Sequence, residues 1–290
     1  MVETAKTVRE KVQALEPALT RAERQLVNLI LKNYPMSGLG SITRIAAEAR
    51  VSTPTVARLA QKLGYSGFPA FQTALREELE ERFSNPILKH DRWAEQAPEA
   101  HVLNRFTEAV IDNLRQTLAQ IDAEAFDRAA NLIADPAHRV FIVGGRITRA
   151  LADYIYLHLQ VIRPGVTLVP STPSAWPHSA LDMAAGDVMI VYDIRRYENA
   201  ILQMARYASE QGVRIILITD QWQSPVSAEA LLTFNCRIEV PSAWDSTVCA
   251  LHLSETLIAA VQDAGWDGAR ERMARLEGLF DTTSVFRKFV

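Results

Sequence analysis

The 290-residue chain is poor in cysteine: Cys236 and Cys249 are the only two. They suggest no disulfide framework, and no C-x-x-C pair offers a metal site. Six histidines are present, none at H-x-H or H-x-x-x-H spacing, which gives metal ligation little support. No apolar run approaches the ~18 residues of a membrane-spanning helix. The first residues lack a basic stretch followed by an apolar one, so no secretory leader is expected and a cytoplasmic location is. Internal repeats and low-complexity tracts are also missing. What remains is a globular composition, 48% hydrophobic and 22% charged, long enough for two domains with separate cores.

The net charge of −3 hides an uneven distribution. Residues 1–89 hold 13 Lys and Arg against 9 Asp and Glu, a balance of +4. Residues 90–290 hold 18 against 25, a balance of −7. A basic front on an acidic body fits a polyanion-binding head joined to a separate domain.

The front half reads as helices. Residues 4–15 place Val8, Val12 and Leu15 on one side. Thr20 and Glu23 form a capping-box pattern before a helix that turns Leu26, Leu29 and Ile30 inward. Ser41 is placed to cap a helix with Ile42, Ile45, Ala46 and Ala49 at helical spacing. After a turn at Arg50 and Val51, Ser52 is placed to cap another, with Val56, Leu59, Ala60 and Leu63 inward and Gly64 as its stop. Two short amphipathic helices joined tightly behind a supporting helix make a helix-turn-helix candidate. The opposite side of the second helix carries Thr55, Arg58, Gln61 and Lys62, with Thr53 and Pro54 at its start. Hydroxyls, an amide and cations suit base edges and phosphates. The alternative is a small helical bundle with a solvated polar face. A charged helix runs to about Phe83, and residues 84–104, with Pro86, Pro98 and Trp93, read as a linker.

The back half is organised around R-V-F-I-V-G-G-R-I-T at 139–148. Val140 to Val143 read as a buried strand, Gly144 and Gly145 as a turn. Ile147, Leu151, Tyr154, Ile155 and His158 then mark one helical face. This is the opening of a parallel βαβ unit, so a ligand site is expected just after Val143. Further strands are expected at 166–169, 188–192, 214–219 and 234–240. Helices are expected at 105–121, 122–134, 199–211 and 246–262, and one more at 270–280 in the tail. Alternating strands and helices argue for a parallel α/β sandwich. His158 is read as a hydrogen-bonded core residue. Trp176 either packs in the core or an interface, or roofs a pocket. Cys236 and Cys249 read as buried thiols without redox character.

The run V-S-T-P-T-V-A-R-L-A-Q-K-L-G-Y-S-G-F at 51–68 resembles, residue for residue, a signature of the RpiR/MurR family of bacterial transcriptional regulators. Members join a helix-turn-helix domain to a sugar isomerase (SIS) domain, a five-stranded parallel sheet between helices that senses phosphosugars. The resemblance implies an all-α head at 1–83, a linker at 84–104, a SIS-type three-layer α/β/α sandwich at 105–265 and a tail at 266–290. It implies that Ser52, Thr53, Thr55, Arg58 and Lys62, with Gln61 beside them, lie at or near operator DNA. In phosphosugar-binding members a glycine turn followed by Ser or Thr ends the first strand; Gly144, Gly145, Arg146 and Thr148 match it. An S-x-S-G-x-T loop after a later strand is replaced here by Y-D-I-R-R-Y-E at 192–198. Arg195 and Arg196 offer a different anion grip, or they pair with Asp193, Glu198 or Asp187 and bind no ligand.

The expected protein is therefore a homo-oligomeric, ligand-responsive regulator of double-stranded DNA that needs no cofactor or metal and senses a small anionic metabolite, a phosphosugar or sugar acid. The rival from another class is a phosphosugar isomerase, with His252 and Glu255 as its best base. A third reading keeps the SIS domain for oligomerisation alone.

Overall fold

The computed structural model describes residues 6–83 and 101–284. The chain divides into two compact units, Met1–Gln96 and Ala97–Val290. The expected linker falls largely outside the described residues, as does Trp93.

The first unit is built of α1 (Val8–Leu15), α2 (Arg21–Lys32), α3 (Ile42–Glu48), α4 (Thr53–Lys62) and α5 (Phe68–Phe83). The first helix begins later than its apolar period implies, because Thr7 caps it: its hydroxyl accepts from the Glu10 N–H, and Glu10 reaches back. The Thr20–Glu23 box opens α2 in the same way, and Ser41 caps α3 by accepting from the Arg44 N–H. Ser52 differs from expectation. Its Oγ lies 2.9 Å from Thr55 Oγ1 and takes no backbone N–H of α4. Leu26, Val27, Ile30, Ile45, Ala46, Val56, Leu59 and Leu63 form one core with Phe71 and Leu75 of α5.

Within that core sits a carboxylate. Glu78 accepts from the Val8 N–H at 2.6 Å and from the Tyr34 hydroxyl. Burial raises its pKa, and burial with the neighbouring carboxylate raises that of Tyr34. This pairing ties α1 to α5, the two ends of the unit.

The second unit contains α6 (Val102–Leu118), α7 (Ala123–Ala134), β1 (Val140–Gly144), α8 (Arg149–Ile162), β2 (Val166–Leu168), α9 (Trp176–Leu181), β3 (Val188–Asp193), α10 (Asn199–Glu210), β4 (Arg214–Asp220), β5 (Leu232–Cys236), α11 (Val248–Ala264) and α12 (Trp266–Thr283). The five strands are parallel, in the order β2-β1-β3-β4-β5. Successive side chains of a strand face opposite ways, so each central strand feeds two cores. Val140, Ile142, Ile190 and Ile216 pack against α7, α8 and α11. Phe141, Val143, Met189, Val191 and Leu217 pack against α9 and α10. The result is a three-layer α/β/α sandwich.

Two expectations are corrected. The last strand is Leu232–Cys236, not 234–240, although Ile238 and Val240 are buried. Beyond Cys236 the backbone turns to α6 instead of β4: the Arg237 N–H donates to Thr117 Oγ1 and Asn113 Nδ2 donates to the Glu239 carbonyl. On α8 the buried stripe is Leu151, Ala152, Ile155, Leu159 and Ile162. Ile147 and His158 are exposed; His158 lies on the Tyr154 ring, 4.7 Å between centroids, and is no core histidine.

Candidate functional sites

In the first unit, the turn from α3 to α4 is closed by the Val51 N–H donating to the Ala46 carbonyl at 2.9 Å, with Arg50 in the left-handed region. Burial of Val56, Leu59 and Ala60 orients α4. Its outer side then presents Ser52, Arg58 and Gln61 exposed, with Thr53 and Thr55 half-buried. Arg58 and Gln61, three apart, share that side. Lys62 is engaged within the unit: its ammonium donates to the Ala18 carbonyl at 2.7 Å and pairs with Glu23 at 3.0 Å. The ammonium thereby anchors α4 to the start of α2.

In the second unit, the crossover after β1 packs α8 on one face of the sheet, and the crossover after β3 packs α10 on the other. The loops leaving β1 and β3 thus diverge at a topological switch point, where ligands of such sheets bind. The β1 turn is tightly made. A Cβ on Gly144 would lie 2.6 Å from the Thr148 carbonyl oxygen, which only glycine avoids. Thr148 is buried; its Oγ1 accepts from the Gly145 N–H at 2.8 Å and donates to the Tyr192 carbonyl at 2.9 Å. That hydroxyl fastens the β1 turn to the end of β3.

The loop after β3 folds back on itself. Arg195 and Arg196 both have positive φ, 29° and 59°. Arg195 is turned inward. Its guanidinium lies 4.3 Å from the Trp222 ring centroid, 3.0 Å from Asp245 and 3.6 Å from Glu239, and its backbone N–H donates to Asp220. Neither Asp245 nor Glu239 is among the pairing partners expected from sequence. Arg196 is exposed, as is Arg146. Glu198 lies at the β1 turn: its Oε1 accepts from the Arg146 N–H at 2.8 Å.

Sequence reasoning missed most of this surround. Asp193 accepts from the Ser224 hydroxyl, and burial, with Asp220 and Glu198 nearby, lifts its pKa to about 6. Asp220 is fully buried, which raises its pKa too, and accepts from the Arg195 N–H, the Tyr197 hydroxyl and the Trp222 N–H. Both acids end buried strands, and an Asp after an apolar β-branched run was the available signal. Glu239, Asp245 and Trp222 come from distant segments and carried none.

On α11, His252 is half-buried, and Glu255 is exposed and accepts from the Tyr154 hydroxyl at 2.9 Å. Cys236 and Cys249 are buried, and burial raises both thiol pKa values, as inert thiols require. Trp176 is buried, its Nε1–H on the Pro170 carbonyl. Among the described residues no cluster of three or more His, Cys, Asp or Glu is arranged to hold a metal, and no helix is long and apolar enough to cross a membrane.

Residues 6–82 match the model of the rpiR-family helix-turn-helix domain, and residues 133–260 match that of the SIS domain. The chain belongs to the RpiR family of transcriptional regulators. An uncharacterised HTH-type transcriptional regulator of Clostridium perfringens is 28% identical over 71% of this chain and 73% of its own. The HTH-type transcriptional regulator HexR of Escherichia coli is 25% identical over 81% and 79%. Among solved structures, the NanR protein of Vibrio vulnificus complexed with ManNAc-6P shares the fold: TM-score 0.56 at 18% identity, covering 96% of this chain and 99% of that one.

Proposed function

We propose that this RpiR-family protein binds operator DNA through the outer side of α4 and adjusts that binding to a small anionic metabolite at the β1/β3 mouth. The observation that carries the DNA half is the orientation of α4: its apolar stripe is consumed by the core, leaving Arg58 and Gln61 exposed beside Thr53 and Thr55. A helix of this kind, presented by a helix-turn-helix, reads the major groove. The ligand half is supported by the switch-point position, by Arg146 and Arg196 at its rim, and by a fold relative solved with a phosphosugar. The protein acts on DNA in the cytoplasm as a homo-oligomer, with paired heads on paired half-sites, and catalyses no reaction.

The regulator reading is favoured over an isomerase by the rpiR-family head and by relatives named as transcriptional regulators. The test has two arms. Purified protein is used to select duplexes from a random pool; selection of a two-fold related sequence is expected, and failure to enrich any sequence sinks the DNA half. The selected duplex then reports a library of sugar acids, sugar phosphates and other carboxylates. A true effector shifts operator affinity and raises stability by mass action, about 2.7 kcal/mol at a hundredfold excess over its Kd, which is read as a higher melting temperature. Turnover of a sugar phosphate by the parent, lost in Glu255→Ala, would favour the enzyme instead.

A further inference from the structure

The peptide N–H groups of a strand–turn–helix junction are a seat for an anion. In this chain the seat already holds one, and the chain itself supplies it. Glu198 Oε1 accepts the Arg146 N–H at 2.8 Å. It lies so close over Gly145 that a Cβ there would be 2.5 Å from the same oxygen. A second donor of the turn, the Gly145 N–H, is taken by Thr148 Oγ1. Nor is the surround short of negative charge. The Glu198 N–H donates to Asp193, Asp220 lies next along the strand edge, and the Arg195 charge is matched by Glu239 and Asp245. A phosphate dianion entering the turn would have to displace one carboxylate and sit beside two more, and the inward-turned guanidinium of Arg195 is already paired with Glu239 and Asp245.

We propose that Glu198 is a specificity-determining residue of the mouth: its carboxylate holds the anion seat of the β1–α8 turn and refuses phosphate monoesters. The inference rests on the ligand-sensing reading above and narrows it. The effectors that remain are those whose anionic group is met outside the turn, at the Arg146 and Arg196 rim, where a guanidinium grips a carboxylate bidentately. Sugar acids fit this description and sugar phosphates do not. Position 198 thus takes part in choosing between the two ligand classes.

The test compares the parent, Glu198→Ala, Glu198→Ser and Glu198→Gln as full-length proteins, titrated calorimetrically at pH 7.5 with inorganic phosphate and with glucose 6-phosphate. Removing the carboxylate opens the seat, so Glu198→Ala and Glu198→Ser are expected to bind both probes at least tenfold more tightly than the parent. Glu198→Gln keeps the shape and loses only the charge. It carries the comparison if the smaller side chains prevent folding, with a gain of at least threefold. Equal affinity of the parent and a folded variant for both probes overturns the inference. A failure of the sensing reading looks different: no compound moves operator affinity in the parent, whatever the phosphate titrations show.

Discussion

Gly145 has no room for a methyl group while Glu198 is in place, and this makes the pairing measurable without any ligand. Gly145→Ala is expected to push the Glu198 carboxylate off the Arg146 N–H and to cost about 1 kcal/mol in the parent, the scale of one lost hydrogen bond. In a Glu198→Ala background most of that cost should vanish, because the blocking oxygen is gone. A denaturation double-mutant cycle that returns a coupling near zero would show the two residues to be independent. Asp193 gives a second prediction. Burial lifts its pKa from 3.8 to about 6, so the folded chain holds this proton more tightly than the unfolded one. Its contribution to stability is fully present below 3.8 and is lost as pH rises through about 6, up to about 3 kcal/mol. Asp193→Asn should therefore flatten the fall in stability between pH 4 and 6. Urea melts across that range check it, and an unchanged slope would assign the pH dependence elsewhere.

At the scale of elements, α4 separates two kinds of cation. Arg58 is exposed on the outer side, whereas the ammonium of Lys62 is engaged with Ala18 and Glu23. Arg58→Ala is expected to weaken operator binding by about 1–3 kcal/mol and to relax preference at one base position. Fluorescence anisotropy against the selected duplex and its single-base variants reads both effects; parent-like binding would remove Arg58 from the interface. Much of this was legible in the sequence, because the 3.6-residue period of Val56, Leu59 and Leu63 fixes which side of α4 is buried. The strands were equally legible where both faces are covered, as in β1 and β3. Legibility failed where a long-range hydrogen bond decides the outcome. Nothing local to Arg237 says that its N–H will meet Thr117 instead of a neighbouring strand. Nor does the segment around Arg195 announce that its guanidinium turns inward to Trp222, Asp245 and Glu239. The glycine turn was located correctly, but its occupant, Glu198, lies 52 residues from the N–H it receives. A periodicity argument has no reach over that distance.

At the scale of the whole molecule, the sequence pairs a basic front with an acidic body, and the structure gives each its own core. If two copies present their heads together, the operator must repeat with the pitch of the duplex, about 34 Å per turn. Inserting five base pairs between selected half-sites should sharply reduce affinity, because one head is rotated to the far side of the helix. Inserting ten should restore a large part of it. Equal tolerance of both insertions, read by gel shift, would mean that the heads bind without a fixed separation.

The stacking of Arg195 on Trp222 gives the mouth an optical reporter of its own. The indole is buried beneath a cation and beside the acids that hold it. A molecule that draws the guanidinium away changes the polarity and the quenching around that ring, so the emission that disappears in Trp222→Phe is the part of the protein's fluorescence that reports on the loop after β3. Watching that signal shows whether the loop stirs when a metabolite arrives, before any promoter is involved.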